Sequence, residues 1–191
     1  MKQRSSNNWK TKSGTWDALN IEFIDFDSNY PFINCRDVVF ENLVNCNDYR
    51  NIKENSLISM FLDDYILERF WNHPLNYLER FKDCTVMSPD FSLLVGMPEP
   101  LQMFQVYRNR LVGYIWQSKG LNVVPCISWS DSKSFEYCFN GVEVGSVVAI
   151  SNVGCRNTEH KKFFDSGFDA MIKKLDPSKI LFMCNKKFRS E

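Results

Sequence analysis

From Ser56 onward short apolar runs alternate with segments of helical period, and this alternation limits the fold more than any other feature of the chain. The runs are Leu57 to Leu62, Thr85 to Met87, Leu121 to Ile127, Ser146 to Ile150 and Lys179 to Cys184. None shows the polar alternation of a strand with one wet face, so each predicts a strand covered on both sides. Strands separated by helices need crossovers, and the order βαβαβαβαβ predicts an α/β fold around a mostly parallel sheet. Ile21 to Phe26 reads as an additional edge strand, and Asp37 to Val44 as strand or short helix. With these the strands number six or seven, short of the eight of a complete barrel. An abbreviated TIM-barrel-like sheet and an open doubly wound sheet both satisfy the pattern, and both put the active face at the carboxyl ends of the strands.

The helices carry their own punctuation. Asp63 and Asp64 stand where either can cap the next helix by accepting its free backbone N–H groups, and that helix must break at Pro74. Pro98 and Pro100 open a long helix that ends near Ser118, at Lys119-Gly120. A short helix is expected from about Ser132 to Phe139, and a last one from about Glu159 to Leu175. Residues 1–20, rich in Ser, Asn and Lys, predict a basic arm that Trp9 and Trp16 could dock, and residues 21–191 a single α/β domain.

Composition sets the class. Hydrophobic residues make up 44% of the 191 and aromatics 15%, enough for a core and against intrinsic disorder. Formal charge is zero, yet residues 1–20 hold four Lys or Arg against one acid, and 156–191 nine against five. Basic ends around an acidic middle allow phosphate contacts at the termini. The seven Cys show no C-x-x-C spacing, and with no signal peptide ahead of them they predict a reduced, cytoplasmic protein. His73 and His160 do not suggest a zinc site, and no apolar run approaches the length that crosses a bilayer.

The strand ends collect the candidate chemistry: Asp63 and Asp64; Ser88, Asp90 and Ser92; Ser128, Trp129, Ser130 and Asp131; then Ser151, Asn152 and Cys155. Asp63, Asp64, Asp90 and Asp131 are the catalytic candidates. The first three can also hold magnesium or another divalent cation, since clustered carboxylates bind hard cations or separate into acid and base. On the long helix Arg108 falls within the apolar stripe of Leu101, Phe104, Leu111, Val112 and Ile115. A guanidinium there needs an acid or a phosphate, with Asp90 and Asp131 the expected acids. Arg110 and Tyr107 lie close by. Trp129 could stack a base or sugar, Gly154 and the next helix start could bind an anion, and Cys155 beside Arg156 could have a depressed pKa.

Several blocks taken together resemble the bacterial and phage family called domain of unknown function 4417. They are Phe61-Leu62-Asp63-Asp64-Tyr65, Glu68-Arg69-Phe70-Trp71-Asn72, Ser88-Pro89-Asp90-Phe91-Ser92, Met97-Pro98 and Tyr107-Arg108-Asn109-Arg110. Trp116-Gln117-Ser118, Pro125 with Trp129, Ser134 to Phe139 and Gly154-Cys155 continue the series over roughly residues 56–184. The resemblance implies association with prophages, plasmids and other mobile elements. One departure is the last loop, Cys184-Asn185-Lys186-Lys187-Phe188, where a Gly-containing turn is expected. Two functions fit these readings. One is an enzyme acting on a nucleotide, nucleic acid or other phosphorylated substrate, with Arg108 and Arg110 as anion clamps. The other is a non-catalytic protein that binds DNA, or a host or phage protein, through its basic ends.

Overall fold

The computed structural model describes residues 31–184 apart from Tyr49 and Arg156. The basic arm, the strand expected at Ile21 to Phe26 and the loop after Cys184 lie outside these residues. Within them six strands form: β1 (Asn42–Asn45), β2 (Ser56–Ser59), β3 (Thr85–Met87), β4 (Asn122–Val124), β5 (Val147–Ser151) and β6 (Lys179–Met183). The helices are α1 (Asp64–Asn72), α2 (Leu78–Phe81), α3 (Glu99–Ser118) and α4 (Thr158–Leu175), with 3-10 turns at Pro74–Tyr77 and Ser132–Glu136. Of the ambiguous Asp37 to Val44 segment only the end is regular: residues 42–44 enter the edge strand β1, and 37–41 form neither strand nor helix. The helix expected from Ser132 to Phe139 forms only as a 3-10 turn at Ser132–Glu136, and Gly141 beyond it takes a positive φ.

All strand pairs are parallel. One sheet has the order β1-β2-β3-β4 and the other pairs β5 with β6. A single bridge between Cys126 and Ala149 joins them, with Ile127 N donating to Ala149 O and Ala149 N to Pro125 O, each at 2.8 Å. Strand order therefore follows chain order through both sheets, without the reversal that makes the switch point of a doubly wound sheet. β2 and β3 are buried at every residue, as expected of apolar runs covered on two faces. The outer strands are not: Leu43 in β1 is 51% exposed and Phe182 in β6 is 49% exposed.

α3 departs from the amphipathic helix its periodicity suggests. Leu101 and Phe104 of the expected apolar stripe are exposed, whereas Arg108, Asn109, Arg110, Leu111, Val112 and Gly113 are buried in succession. Six consecutive buried residues cover every side of a helix with 3.6 residues per turn, so this part of α3 is enclosed by protein. Gly113 permits that enclosure: a Cβ on it would stand 3.1 Å from Ile33 Cδ1 and 3.2 Å from Ser88 Cβ. Trp116 anchors the same helix, packing on Phe70 and Phe81 and donating Nε1–H to the Pro74 carbonyl at 2.8 Å. One part of the core lies along β1 to β4 with α1 and α3, and a second lies between β5, β6 and α4.

Candidate functional site

Parallel strands deliver their carboxyl ends to one side, and the loops after β2, β3 and β4 meet there beside α3. A closed polar knot holds them. Asn109 Nδ2 donates to the carbonyls of Pro89 (2.7 Å) and Cys126 (3.2 Å), and its Oδ1 accepts from Ser88 Oγ and from Arg110. Ser88 Oγ in turn accepts from Cys126 N at 2.8 Å. Arg110 extends the knot, donating to the carbonyls of Asn140 (2.9 Å), Cys126 (3.1 Å) and Cys138 (2.8 Å). Its guanidinium is fully engaged by the fold, so it is a buried strut and not a free anion clamp. Buried backbone carbonyls need donors, and Arg110 supplies three of them from one side chain.

A second group lies on the other flank of α3. Arg108 donates to Glu68 from α1 and to Gln105 at 3.0 Å, and its guanidinium sits 3.8 Å from the Phe91 ring centre with Trp71 and Phe104 nearby. The partner is thus Glu68, in place of the Asp90 or Asp131 expected from sequence. A position 40 residues away on α1 satisfies the charge because α1 packs directly on α3. Asp64 does not cap α1 through its side chain; one carboxylate oxygen accepts from Ser92 N and Oγ at 3.0 and 2.9 Å, and the other from Gln105 at 3.1 Å. It clips the loop after β3 onto α1. Asp63 takes the N-cap position, also without a side-chain cap bond, and is exposed.

Between these groups stands Asp90. The residue is half-buried, but its Oδ1 is shut off from solvent and has no hydrogen-bond partner among the described residues. Burial is the main influence on its carboxyl and pushes the pKa up to about 7, against a hydrogen bond with Ser128. The Asp64 carboxylate raises it further, and the Arg110 charge opposes. Two carboxylates, one at the start of α1 and one in the loop after β3, are therefore within electrostatic reach of each other, and the Asp90 carboxyl changes protonation near neutral pH. Tyr107, half-buried on α3, has its phenol pushed above the ordinary range by burial.

The other sequence candidates are placed elsewhere or committed to packing. Asp131 caps the 3-10 turn at Ser132–Glu136, its side chain accepting from Lys133 N at 3.0 Å. Trp129 is half-buried and held in packing: its Nε1 donates to the Phe163 carbonyl at 3.2 Å, and its ring lies 5.3 Å from Phe164. Gly167 makes the seat, since a Cβ there would overlap the indole. Asn152 is buried at the end of β5, with its N bonded to Met183 O at 3.3 Å and its side chain near Cys184. Cys155 is not activated; burial, then Asp165, raises its pKa, and Asn157 takes the cap of α4. All seven cysteines are free. Among the described residues no three His, Cys, Asp or Glu side chains gather as metal ligands, and no helix is long and apolar enough to cross a membrane.

Sequence reasoning passed over Asn109, Glu68 and Gln105, the residues that organise the site. Glu68 carries a legible signal, as an acid one turn into a helix that packs on another. Asn109 carries none in its periodicity; it stands only in the block Tyr107-Arg108-Asn109-Arg110 that resembles the family, with no role attached to it.

The family model described as Domain of unknown function (DUF4417) matches residues 24–190. The gene 1 protein of Mycobacterium phage L5 is 35% identical over 188 residues, covering 93% of this chain and 82% of its own length. The gene 1 protein of Mycobacterium phage D29 is 33% identical over 188 residues, covering 93% and 69%. No solved structure matches the chain.

Proposed function

Because the chain belongs to the DUF4417 family and has phage gene 1 proteins as relatives, we propose that it is a phage or mobile-element enzyme. In this reading it works in the host-cell cytoplasm at the carboxyl ends of β2, β3 and β4, on a nucleotide, nucleic-acid end or other phosphorylated substrate. Asp90 is its proton-transfer group. The reading rests on one observation: a carboxyl oxygen buried at the strand ends without a partner, beside a second carboxylate. A fold does not keep such a group for stability, because an unsatisfied buried acceptor costs about 1–3 kcal/mol. A pKa near 7 suits a group that must both take and give a proton at neutral pH. The unreversed strand order supports a partial, barrel-like sheet as the scaffold, whose strand ends are the customary place for such sites.

The test is thermal unfolding of the protein with a panel of nucleotides, with and without divalent cations, repeated on Asp90→Asn. A ligand that raises the melting temperature of the parent and not of the variant supports the reading. A panel without response removes it.

An accessory protein that binds DNA, or a host or phage protein, is the second reading. It is favoured by exposed apolar side chains near the same loops, Tyr65, Leu94, Val95 and Leu101 among them. DNA binding of this kind weakens steeply as salt rises. Binding to a protein through the apolar rim does not.

A further inference from the structure

Exposed apolar side chains collect where the start of α1, the loop after β3 and the start of α3 are tied together. Asp64 makes the tie, accepting from Ser92 of the loop and Gln105 of α3, and Gln102 of α3 donates to the Met97 carbonyl of the loop at 2.8 Å. Tyr65, Leu94, Val95 and Leu101 stand on these three segments, and each is more than half exposed. Phe104 continues the patch, its ring edge-on to Trp71 and 37% of the residue exposed. Apolar side chains gathered in this way inside a polar rim mark a surface that another segment covers.

The rim has one sign of charge. Residues 61–68 and 88–107 hold the acids Asp63, Asp64, Glu68, Asp90 and Glu99, and no Lys or Arg. Glu68 is paired with Arg108, whereas Asp63 and Glu99 are exposed. Such a rim around apolar side chains selects a basic segment that carries large apolar groups. The chain contains one: residues 1–20 hold Lys2, Arg4, Lys10 and Lys12 against Asp17, with Trp9 and Trp16 among them. Residues 185–191 are basic too, but offer one aromatic, Phe188, against the two Trp of the arm. The described residues begin at Pro31, 15 residues after Trp16 and 22 after Trp9. Extended chain of those lengths spans about 50 and 70 Å, against a radius of gyration of about 15 Å for a domain of this size, so the rim is within reach. A tethered segment also meets the rim at an effective concentration on the order of millimolar, an advantage no separate partner has. We infer that the basic arm, residues 1–20, docks through Trp9 and Trp16 on the patch of Tyr65, Leu94, Val95 and Leu101, with its lysines against Asp63 and Glu99. Docked there, the arm covers the loop that carries Asp90. The inference stands or falls separately from the role of Asp90 itself.

The test is carbodiimide coupling of Lys to Asp and Glu in the full chain, with the linked pairs identified by mass spectrometry. Lys10 or Lys12 is expected to couple to Asp63 or Glu99, at a yield that does not change with protein concentration. Tyr65→Ser with Leu101→Ser keeps every carboxylate and alters only exposed positions, which the fold tolerates. This pair is expected to lose the links. Trp9→Ser with Trp16→Ser, made in the arm itself, is expected to lose them as well. Links that persist undiminished in either pair record collisions of a tethered chain and overturn the inference, as do arm links spread over acids all round the molecule. Links between isotope-labelled and unlabelled chains assign the patch to a second copy, and links from Lys186 or Lys187 assign it to the last residues of the chain; either result overturns docking of the arm. So does the absence of any link to Asp63 or Glu99.

Discussion

Arg110 and Asp90 lie at the same strand ends, are both charged groups withdrawn from water, and have opposite surroundings. The guanidinium donates to three carbonyls and an amide oxygen, so the cost of desolvating it is offset bond by bond. The carboxyl has Ser128 on one side and an unpartnered oxygen on the other, and its raised pKa records the imbalance. A polar network closed on itself specifies a fold, while an open one costs stability that the fold alone does not repay. Arg108 stands between the two cases. Its terminal nitrogens are paired, but its Nε is buried without a partner.

The largest expected effect falls on the closed network. Arg110→Ala removes the donor this side chain supplies to the carbonyls of Cys138 and Asn140, leaves Cys126 O with Asn109 alone, and should cost about 3–5 kcal/mol in urea unfolding. Arg110→Lys should recover little, since one ammonium cannot span the same positions. Retention of parental stability in both variants would show that the network is not what holds the strand ends.

Gly167→Ala drives a methyl into the Trp129 ring and should destabilise by about 3 kcal/mol. Trp129→Leu in the same background should restore part of the loss. Full stability of Gly167→Ala alone would mean that the indole can leave its seat, and would reopen Trp129 as a stacking surface.

Asp90→Asn should do the reverse and stabilise, by about 2 kcal/mol at pH 8, because it removes a charge the fold desolvates. The pH dependence gives the sign. A carboxyl whose pKa is about 7 in the folded protein against an ordinary 3.8 binds more protons folded than unfolded. Its contribution is therefore fully present below about pH 4, declines as pH rises to about 7, and is flat above. The gain of the variant over the parent should close as pH falls from about 7 to about 4. A gain that does not change with pH would place the effect outside the carboxyl's ionisation.

The smallest effect is expected at Asp131. Asp131→Ala removes one cap bond and should cost about 1 kcal/mol or less. Ligand binding should be unchanged, in contrast to Asp90. A loss of binding without a loss of stability would move Asp131 into the site.

Much of the architecture was legible. The apolar runs marked five of the strands; at β2 and β3 burial on two faces accounts for the continuous hydrophobic signature, whereas β6 carries such a run while partly exposed. Pro98, Pro100 and Gly120 marked the ends of α3, Gly120 taking a positive φ as the stop requires. The edge strand β1 was harder: mostly exposed, it could not be told from a short helix by pattern alone. Within the site, Asp64 and Asp90 could be named because they follow strands. Their difference could not, because it depends on Ser92 and Gln105 reaching one carboxylate and leaving an oxygen of the other untouched.

The sequence by itself determined the alternation of parallel strands and helices, and hence the side of the molecule to which the polar loops are delivered. That follows from local periodicity and from the geometry of crossovers, neither of which needs distant residues. Only the tertiary structure decided which polar groups are satisfied there. Glu68 reached Arg108, Asn109 bound two strand ends, Gly167 gave Trp129 a seat, and one oxygen of Asp90 was left without a donor. Each pairing joins residues far apart in the chain, and a hydrogen bond forms or fails over a few tenths of an ångström that no periodicity encodes.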